Sequence, residues 1–249
     1  MKTPSLFSLV YQDENIAALN KSSGIAVSPD RWDLSRERLD KLAAESLGVE
    51  KLYTVHRIDR DTSGLVVFAK NSETHKTLSA AFEDRLVKKR YIAVVHGRPA
   101  WNETVCDLPL VPNGNKLHYT IVDKYRGKES ITSFRLLGSA GNYSVLEALP
   151  QTGRTHQIRV HLASLGHPVV CDEFYGNIKP VLLSAIKRGW QGDPKKERPL
   201  LSRLGLHAVE LIIPGYAAFS APLPRDMAAL IKQMEKTVGQ EFGVTAGIS

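Results

Sequence analysis

The order in which strand-like and helix-like segments follow one another constrains the fold of this chain more than any other feature. Segments rich in β-branched and aromatic residues dominate, for example LVVFA at 65–69 and RYIAVVHG at 90–97. They outnumber the amphipathic segments and do not alternate with them as strands and helices do in a parallel βαβ sheet. We therefore predict an α+β fold with a mixed, mainly antiparallel sheet flanked by helices.

Turn residues and amphipathic periodicity predict the individual elements. The chain is expected to open with a hairpin, because strands at 6–11 and 15–21 flank turn-forming residues at 12–15. Further strands are predicted at 130–138, 143–149 and 204–214. Helices are predicted over 34–47 with Gly48 as C-cap, after Asn71 with Leu78, Phe82 and Leu86 on one face, over 155–165 with Thr155 as N-cap, and over 226–238.

Composition excludes several classes of protein. With 24% charged and 43% hydrophobic residues in 249, the chain is neither disordered, collagenous nor a coiled coil. Its two cysteines, Cys106 and Cys171, form neither a disulfide framework nor a zinc site of the usual pattern, which favours a reducing compartment. No stretch approaches the ~18 apolar residues of a membrane span. We expect a cytoplasmic protein without a membrane partner, and nothing in the sequence demands more than a monomer.

The charge balance favours a polyanionic partner. The net charge is +7 and the isoelectric point is near 9.4, which suits RNA because each phosphate contacted releases counterions. An insertion at about 177–203 is expected to be an exposed basic loop, either simply solvated or in contact with phosphates. The basic residues that favour this interpretation are Lys187, Arg188, Lys195, Lys196, Arg198 and Arg203.

Three segments dense in polar residues, 56–64, 89–91 and 151–161, are candidates for one site. In the first, Asp59 is flanked by arginines, and its carboxylate is either ion-paired and structural or held in a cleft. Arg159, about one turn into the helix predicted in the third segment, is suited to pair with that carboxylate. Arg154, at the mouth of the same helix, is the alternative partner.

The same segments resemble a known family. HRIDRDTSGLVVFAK at 56–70 is similar to the HRLDxxTSGLLLxAK signature of RluA-type pseudouridine synthases. The segments at 11–24, 88–97, 150–176 and 203–211 resemble further motifs of that family in the same order, so the resemblance extends from about Leu9 to Pro222. Ser22 stands where the family usually has proline, and Ile58 where it has leucine.

This resemblance implies an enzyme that isomerises uridine to pseudouridine in structured tRNA or rRNA after flipping the nucleotide out, without cofactor or metal. It implies one catalytic domain over 1–249, built on a long bent sheet. The small N-terminal S4-like RNA-binding domain of several family members is not expected, so recognition falls to the catalytic domain and the 177–203 insertion.

Individual residues match family positions. Asp59 matches the essential aspartate, Tyr91 the tyrosine that stacks on the target base, and Arg159 the arginine that pairs with the aspartate. Arg57 matches the residue that fills the base stack left by the flipped nucleotide, and Leu206 an apolar residue lining the pocket. The other candidates for RNA or substrate binding are Arg60, Arg154, His156 and Gln157.

Three other functions compete with this interpretation. A metal-dependent hydrolase is disfavoured because His156 and His161 are five residues apart rather than four and no HExxH pattern occurs; His161 and His207 are interpreted as structural. A serine nucleophile at Ser63 lacks the G-x-S-x-G elbow. A non-catalytic RNA-binding protein fits the charge equally well, but gives no reason for Asp59, Tyr91 and Arg159 to occur together.

Overall fold

A computed structural model of the chain describes residues 6–29, 37–115 and 119–244. They belong to two compact units, the first comprising Met1–Lys89 and His207–Pro222, the second Arg90–Leu206 and Leu223–Ser249. Among the described residues, no helix is both long enough and apolar enough to cross a membrane.

Strands and helices follow one another in a mixed order along the chain. They are β1 (Phe7–Gln12), β2 (Ile16–Lys21), α1 (Leu39–Leu47), β3 (Tyr53–Thr54), β4 (Ser63–Ala69), α2 (Ser72–Glu83), β5 (Lys88–His96), β6 (Glu103–Cys106), β7 (Leu110–Val111), β8 (Ile121–Val122), β9 (Thr132–Ala140), β10 (Tyr143–Pro150), α3 (Gln157–Ser164), β11 (Leu206–Ile212), β12 (Phe219–Ser220) and α4 (Arg225–Val238).

The first unit contains a mixed sheet with strand order β1-β2-β4-β11. β4 is parallel to β11 and antiparallel to β2 and β3, and β12 pairs with β11 in antiparallel orientation. All seven residues of β4 are buried, as expected for a central strand that is covered on both faces. This strand directly follows the loop that carries Asp59, so the core of the unit fixes the C-terminal end of that loop.

The second unit contains an antiparallel sheet with strand order β5-β10-β9-β6 and a separate β7-β8 hairpin. Directly paired residues share a face, so Tyr91, Ala148 and Phe134 lie on the same face of this sheet. Thr132, two residues before Phe134, lies on that face too and hydrogen-bonds to Gln157 at the start of α3. Tyr91 and α3 therefore lie on one face of the sheet.

The opposite face of this sheet carries a charge cluster in which Arg90 and Glu147 are buried and Arg135 is exposed. Arg90 Nε donates to Glu147 Oε1 at 2.6 Å, and Arg135 Nε donates to Glu147 Oε2 at 3.0 Å. Arg90 also donates to the backbone oxygen of Val244. Arg90 and Tyr91 thus point to opposite faces, as consecutive strand residues must, and only Tyr91 of this pair faces α3.

The predicted α+β class with a mixed, mainly antiparallel arrangement of strands is confirmed. The opening hairpin is confirmed, and Asp13 Oδ1 closes its turn by accepting the N–H groups of Asn15 and Ile16. Asn71 caps α2 by accepting the N–H of Thr74, and Gly48 ends α1 with φ +64°. These signals are local, so the sequence alone identifies them.

Other boundaries differ from the prediction. α1 begins at Leu39, and residues 34–36 of the predicted helix lie outside the described residues. α2 ends at Glu83, so Leu86 is not on its apolar face and is 57% exposed. Thr155 is not the N-cap of α3, which begins at Gln157. The preceding His156 has φ +54° and no side-chain capping bond, and the Gln157 Oε1 accepts the N–H of Arg154 across the turn before the helix.

Gly64 permits the close approach of β4 and β11, which leads to a testable prediction. A Cβ at Gly64 would clash with the backbone of Ala208, its partner in β11, and the residue has φ +114°. We expect Gly64→Ala to lower the free energy of unfolding by about 3 kcal/mol, measured by urea denaturation. Gly24 has φ +96° but no atom within 4 Å of its Cβ position, so Gly24→Ala should cost roughly 1 kcal/mol of backbone strain. Equal losses in the two variants would contradict a steric role for Gly64.

Candidate functional site

A buried lysine anchors the loop that carries Asp59. Lys21 is 1% exposed, and its ammonium donates to the backbone oxygens of Ser22, Ile25 and Arg60 at 2.7–2.9 Å. All three donors of the ammonium are therefore used, which offsets the cost of burying its charge. Since Arg60 directly follows Asp59, the bond to its carbonyl fixes the backbone of the loop beside the carboxylate.

The segment 22–25 makes further bonds to the same loop. The N–H of Gly24 donates to Arg60 O at 2.9 Å, and Ser23 Oγ donates to Asp61 O at 2.7 Å. Arg60 Nε donates in return to Gly24 O at 3.0 Å. The N–H of Thr62 closes the loop on Asp59 O at 3.2 Å. The loop is therefore held at several successive backbone groups and by the side chain of Arg60.

The side chains of this loop differ in exposure. Arg57 and Arg60 are exposed, Asp59 is half-buried, and Ile58 is buried. Ile58 is thus part of the core, whereas Asp59 is only partly covered by the protein and is flanked in sequence by two exposed arginines. Of the two arginines, Arg60 already uses its Nε on the protein backbone.

Two histidines support the ends of the loop. The His56 ring stacks on Phe82 of α2 with centroids 4.4 Å apart, and its Nε2 accepts the N–H of Val67. Burial lowers the pKa of His56 to about 3, so the ring stays neutral and remains an acceptor at neutral pH. At the other end, Ser63 Oγ lies 2.9 Å from His207 Nδ1, and both residues are buried.

The Ser63–His207 pair joins β4 to the parallel strand β11. Ser63 is 1% exposed and His207 is inaccessible, so a substrate atom cannot approach this serine oxygen. Their geometry supports the interpretation of His207 as a structural residue and of Ser63 as part of the loop framework. Leu206, predicted to line a pocket, is also buried, at 3% exposure.

In the second unit, Arg159 forms a buried ion pair. Arg159 is 2% exposed, and its Nε and Nη2 donate to the two carboxylate oxygens of Asp172 at 2.8 and 2.7 Å. Asp172 Oδ1 also accepts the N–H groups of Phe174 and Tyr175. The guanidinium carbon lies 5.1 and 5.3 Å from the centroids of these two rings. Bidentate pairing and aromatic stacking together fix the plane of the guanidinium group.

The turn before α3 is organised by Gln157 and Tyr175. Gln157 is buried and makes four hydrogen bonds, donating to Ile131 O and Thr132 Oγ1 and accepting from Thr152 Oγ1 and Arg154 N. His156 Nδ1 lies 2.8 Å from the Tyr175 hydroxyl. Gln157 therefore positions this turn, since its amide has its full complement of partners inside the protein.

Arg154 and His161 occupy different surroundings. Arg154 is half-buried, and its Nε donates to Glu129 O at 3.1 Å. His161 is inaccessible and bridges Thr132 Oγ1 and Leu108 O, each at 3.0 Å. Burial lowers the pKa of the His161 imidazole, so this residue is structural, as interpreted from the sequence.

The structure thus places the predicted residues within separate units. Asp59, Arg57 and Arg60 share one anchored loop, while Tyr91, Arg154, His156, Gln157 and Arg159 lie on β5 and around α3. Three further residues of these surroundings, Lys21, Asp172 and Tyr175, were not predicted from the sequence. In the sequence, Lys21 and Asp172 each stand at the end of an apolar segment. This position indicates that the charged side chain borders the core, but it does not identify the residue with which it pairs.

The described residues contain no group of three or more His, Cys, Asp or Glu side chains that could hold a metal ion. The predicted site residues offer carboxylate, guanidinium, phenol and imidazole groups. A carboxylate on a fixed loop can act as nucleophile or stabilise positive charge, and a tyrosine ring can stack on a base.

Comparison with known proteins gives consistent matches. A family model described as RNA pseudouridylate synthase matches residues 15–164. The ribosomal large subunit pseudouridine synthase D of Zymomonas mobilis is 34% identical over 242 residues, covering 91% of this chain and 72% of that protein. The dual-specificity RNA pseudouridine synthase RluA of Vibrio vulnificus is 34% identical over 208 residues, covering 82% and 76%. The solved structure of human RNA pseudouridylate synthase domain containing 4 has a TM-score of 0.69 at 24% identity, covering 92% and 93%, and supports the fold.

The Arg159–Asp172 pair yields a prediction about stability. We expect Asp172→Asn to lower the free energy of unfolding by about 3 kcal/mol, because it removes the negative charge that lies against the buried Arg159 guanidinium. Urea denaturation measures the loss. Asp193→Asn is the control, since Asp193 lies in an exposed pair with Lys196 at 3.8 Å and should change stability by under about 1 kcal/mol.

A double variant separates charge burial from packing at the same place. Arg159→Met combined with Asp172→Leu removes both charges and should recover a large part of the stability lost in Asp172→Asn. A single Asp172→Asn variant as stable as the natural protein would show that the pair does not hold Arg159.

Proposed function

The chain belongs to the RNA pseudouridylate synthase family, and we propose that Asp59 is the residue that acts on the target uridine, in tRNA or rRNA. The observation that carries the assignment is the loop around Asp59. Its backbone is held by Lys21, Ser23 and Gly24, and its carboxylate lies half-buried at the surface of the core. A fixed carboxylate at such a boundary is what the reaction requires.

The chemistry of the reaction explains why one carboxylate suffices. Isomerisation breaks the bond between N1 of uracil and C1′ of ribose, and forms a bond between C5 and C1′. C5 loses a proton and N1 gains one, so the balance involves no oxidant, reductant or co-reactant. The demands on the enzyme are to act on the glycosidic bond, to retain the detached base while it rotates, and to exclude water.

Tyr91 and Arg159 have the next roles in this proposal. Tyr91 is 9% exposed on β5, and its phenol ring is suited to stack on the uracil base and to help remove the C5 proton. In this proposal Arg159 pairs with the Asp59 carboxylate. The support for Arg159 over Arg154 is its orientation, because Asp172 fixes the guanidinium of Arg159 while Arg154 uses its Nε on a backbone oxygen.

Substrate binding falls to exposed cations and a pocket residue. Arg57 is exposed beside Asp59, and it fills the base stack when the target nucleotide is flipped out. Arg60, Arg154 and His156 contribute contacts to the RNA, and Leu206 lines the pocket for the base. The proposal places the enzyme in the cytoplasm, where tRNA and ribosomes are found, and has it act as a monomer.

The relatives guide the choice of substrate. The Zymomonas mobilis protein is named for the ribosomal large subunit, and the Vibrio vulnificus protein for dual specificity. We therefore propose uridines in structured tRNA or rRNA as substrates of this chain. A pseudouridine map of total RNA from cells with and without the gene identifies the position. The map uses a carbodiimide adduct that survives alkali on pseudouridine and stops reverse transcription.

Removing the charge of Asp59 tests its assignment. Asp59→Asn keeps the volume of the side chain, so we expect turnover to fall below detection while affinity for the substrate RNA stays within about threefold. The measurement is formation of the carbodiimide-dependent stop on RNA isolated from the deletion strain. Asp61→Asn, in the same loop, is the matched control and should retain activity. Turnover by Asp59→Asn would overturn the assignment.

The basic insertion offers a second test. Residues 177–203 contain no named helix or strand, and the loop is tied at its base by the Val181–Leu201 bridge and internally by Glu197, which accepts the N–H of Ser184. We propose that its exposed cations contact phosphates. Four of these cations are exposed and can be replaced in one variant: Lys187, Arg188, Lys195 and Lys196.

Replacing these four residues by glutamine should weaken RNA binding and flatten its dependence on salt. The slope of log K against log salt should fall by about 0.7–0.9 for each phosphate that the variant no longer binds. Fluorescence anisotropy of labelled RNA over a salt series measures that slope. Lys232→Gln with Lys236→Gln, exposed on α4, forms the control for loss of net charge. An unchanged slope in the fourfold variant would leave the insertion a solvated loop.

A further inference from the structure

Tyr125 stands out among the large apolar side chains of the described residues, because it is 99% exposed. The next most exposed of them, Ile178, is 72% exposed. A tyrosine ring normally buries much of its area against the protein. Tyr125 lies at the tip of the segment 123–128, which follows β8 and which we call the Tyr125 loop.

The Tyr125 loop has a defined backbone. Asp123 Oδ1 accepts the N–H groups of Tyr125 and Arg126 at 2.9 and 3.0 Å, and Asp123 Oδ2 accepts Arg126 Nε at 2.7 Å. The N–H of Gly127 donates to Asp123 O at 2.9 Å. The ring is therefore presented from an ordered turn, which reduces the conformational entropy that a ligand must offset.

Both ends of this region are joined to the residues around Arg159. On one side, the N–H of Thr120 donates to the Tyr175 hydroxyl, and the Tyr119 ring packs edge-on against Phe174 at 5.0 Å. On the other, Arg154 Nε donates to Glu129 O. The residues that flank the Tyr125 loop on both sides are thus in direct contact, within one unit, with the segments that carry Arg154 and Tyr175.

The charges around Tyr125 match a polyanion. Lys124, Arg126 and Lys128 are exposed, and the carboxylate of Asp123 is neutralised by Arg126 at 2.7 Å. Lysines beside an exposed aromatic ring are the groups that bind single-stranded nucleic acid, where the ring stacks on a base and the cations contact phosphates.

We propose that the Tyr125 loop is a second RNA contact, in which Tyr125 stacks on an unpaired base other than the target uridine, and Lys124 and Lys128 bind neighbouring phosphates. This inference rests on the proposed function, since it assumes a structured RNA substrate. It predicts that the loop selects substrates with unpaired nucleotides near the reactive uridine, because a base inside a duplex offers no accessible face.

Binding of two labelled RNAs tests the proposal. One is a stem-loop with a uridine-containing loop, and the other is a blunt duplex of the same length without unpaired bases. Tyr125→Ala should weaken binding of the stem-loop about tenfold and leave binding of the duplex unchanged. Tyr125→Phe keeps the ring and should bind both RNAs like the natural protein. Because the side chain is exposed, thermal unfolding of both variants should match that of the natural protein.

Salt and kinetic measurements separate the ring from the charges. Lys124→Gln with Lys128→Gln should lower the salt slope for the stem-loop, whereas Tyr125→Ala should not. On an RNA that the natural enzyme isomerises, Tyr125→Ala should raise KM with little change in kcat, as expected for a contact remote from the reacting atoms.

Equal stem-loop affinity of Tyr125→Ala and the natural protein would overturn the inference, and so would an equal loss on stem-loop and duplex. Either result can occur while the natural enzyme still isomerises RNA, which would leave the proposed function intact. Failure of the natural enzyme to isomerise any RNA from the deletion strain would instead reject the proposed function.

Discussion

The arrangement around Asp59 depends on the hydrogen bonds that the buried ammonium group of Lys21 donates. Burying a positive charge is costly unless every donor is satisfied, and Lys21 meets this condition with the carbonyls of Ser22, Ile25 and Arg60. The carbonyl of Arg60 ties the segment after β2 to the loop before β4. Bonds from Lys21, Ser23 and Gly24 to backbone oxygens of this loop therefore fix the main chain next to the Asp59 carboxylate.

In the second unit, the buried charged group that positions a functional side chain is a carboxylate. Asp172 is a buried carboxylate that receives two bonds from Arg159 and two from backbone N–H groups. Aromatic rings of Phe174 and Tyr175 flank the guanidinium. In the first unit the buried Lys21 holds the backbone next to Asp59, and in the second unit the buried Asp172 orients the guanidinium group of Arg159. Such groups are sensitive to small errors in position, since reactive geometry tolerates little displacement.

Motif residues have unequal roles, even where they are adjacent in sequence. In the segment 151–161, Gln157 and His161 are buried and hydrogen-bonded, whereas Arg154 and His156 also make hydrogen bonds but are only half-buried. In β5, Arg90 pairs with Glu147 on the face opposite to that of Tyr91. A polar residue within a functional motif is thus as often part of the framework as part of the site.

The outline of the fold follows from local signals. The opening hairpin, the Asn71 cap and the Gly48 terminus are encoded within a few residues each, because turns and caps are satisfied by neighbours in sequence. The start of α3 is not predictable in this way. Thr155 has the right side chain for a cap, but Gln157, through bonds to Ile131 and Thr132 more than twenty residues away, decides where the helix begins.

The sequence by itself determined the α+β class, the family and the candidates Asp59, Tyr91 and Arg159, because periodicity and motif spacing are properties of the linear chain. Tertiary structure alone decided which charges are buried and what holds them. Lys21 and Asp172 look like ordinary surface residues in the sequence, because the groups that pair with them in the fold, the Arg60 carbonyl and the Arg159 guanidinium, are distant along the chain. Burial and hydrogen-bond partners are set by residues far apart along the chain, and no local pattern carries that information.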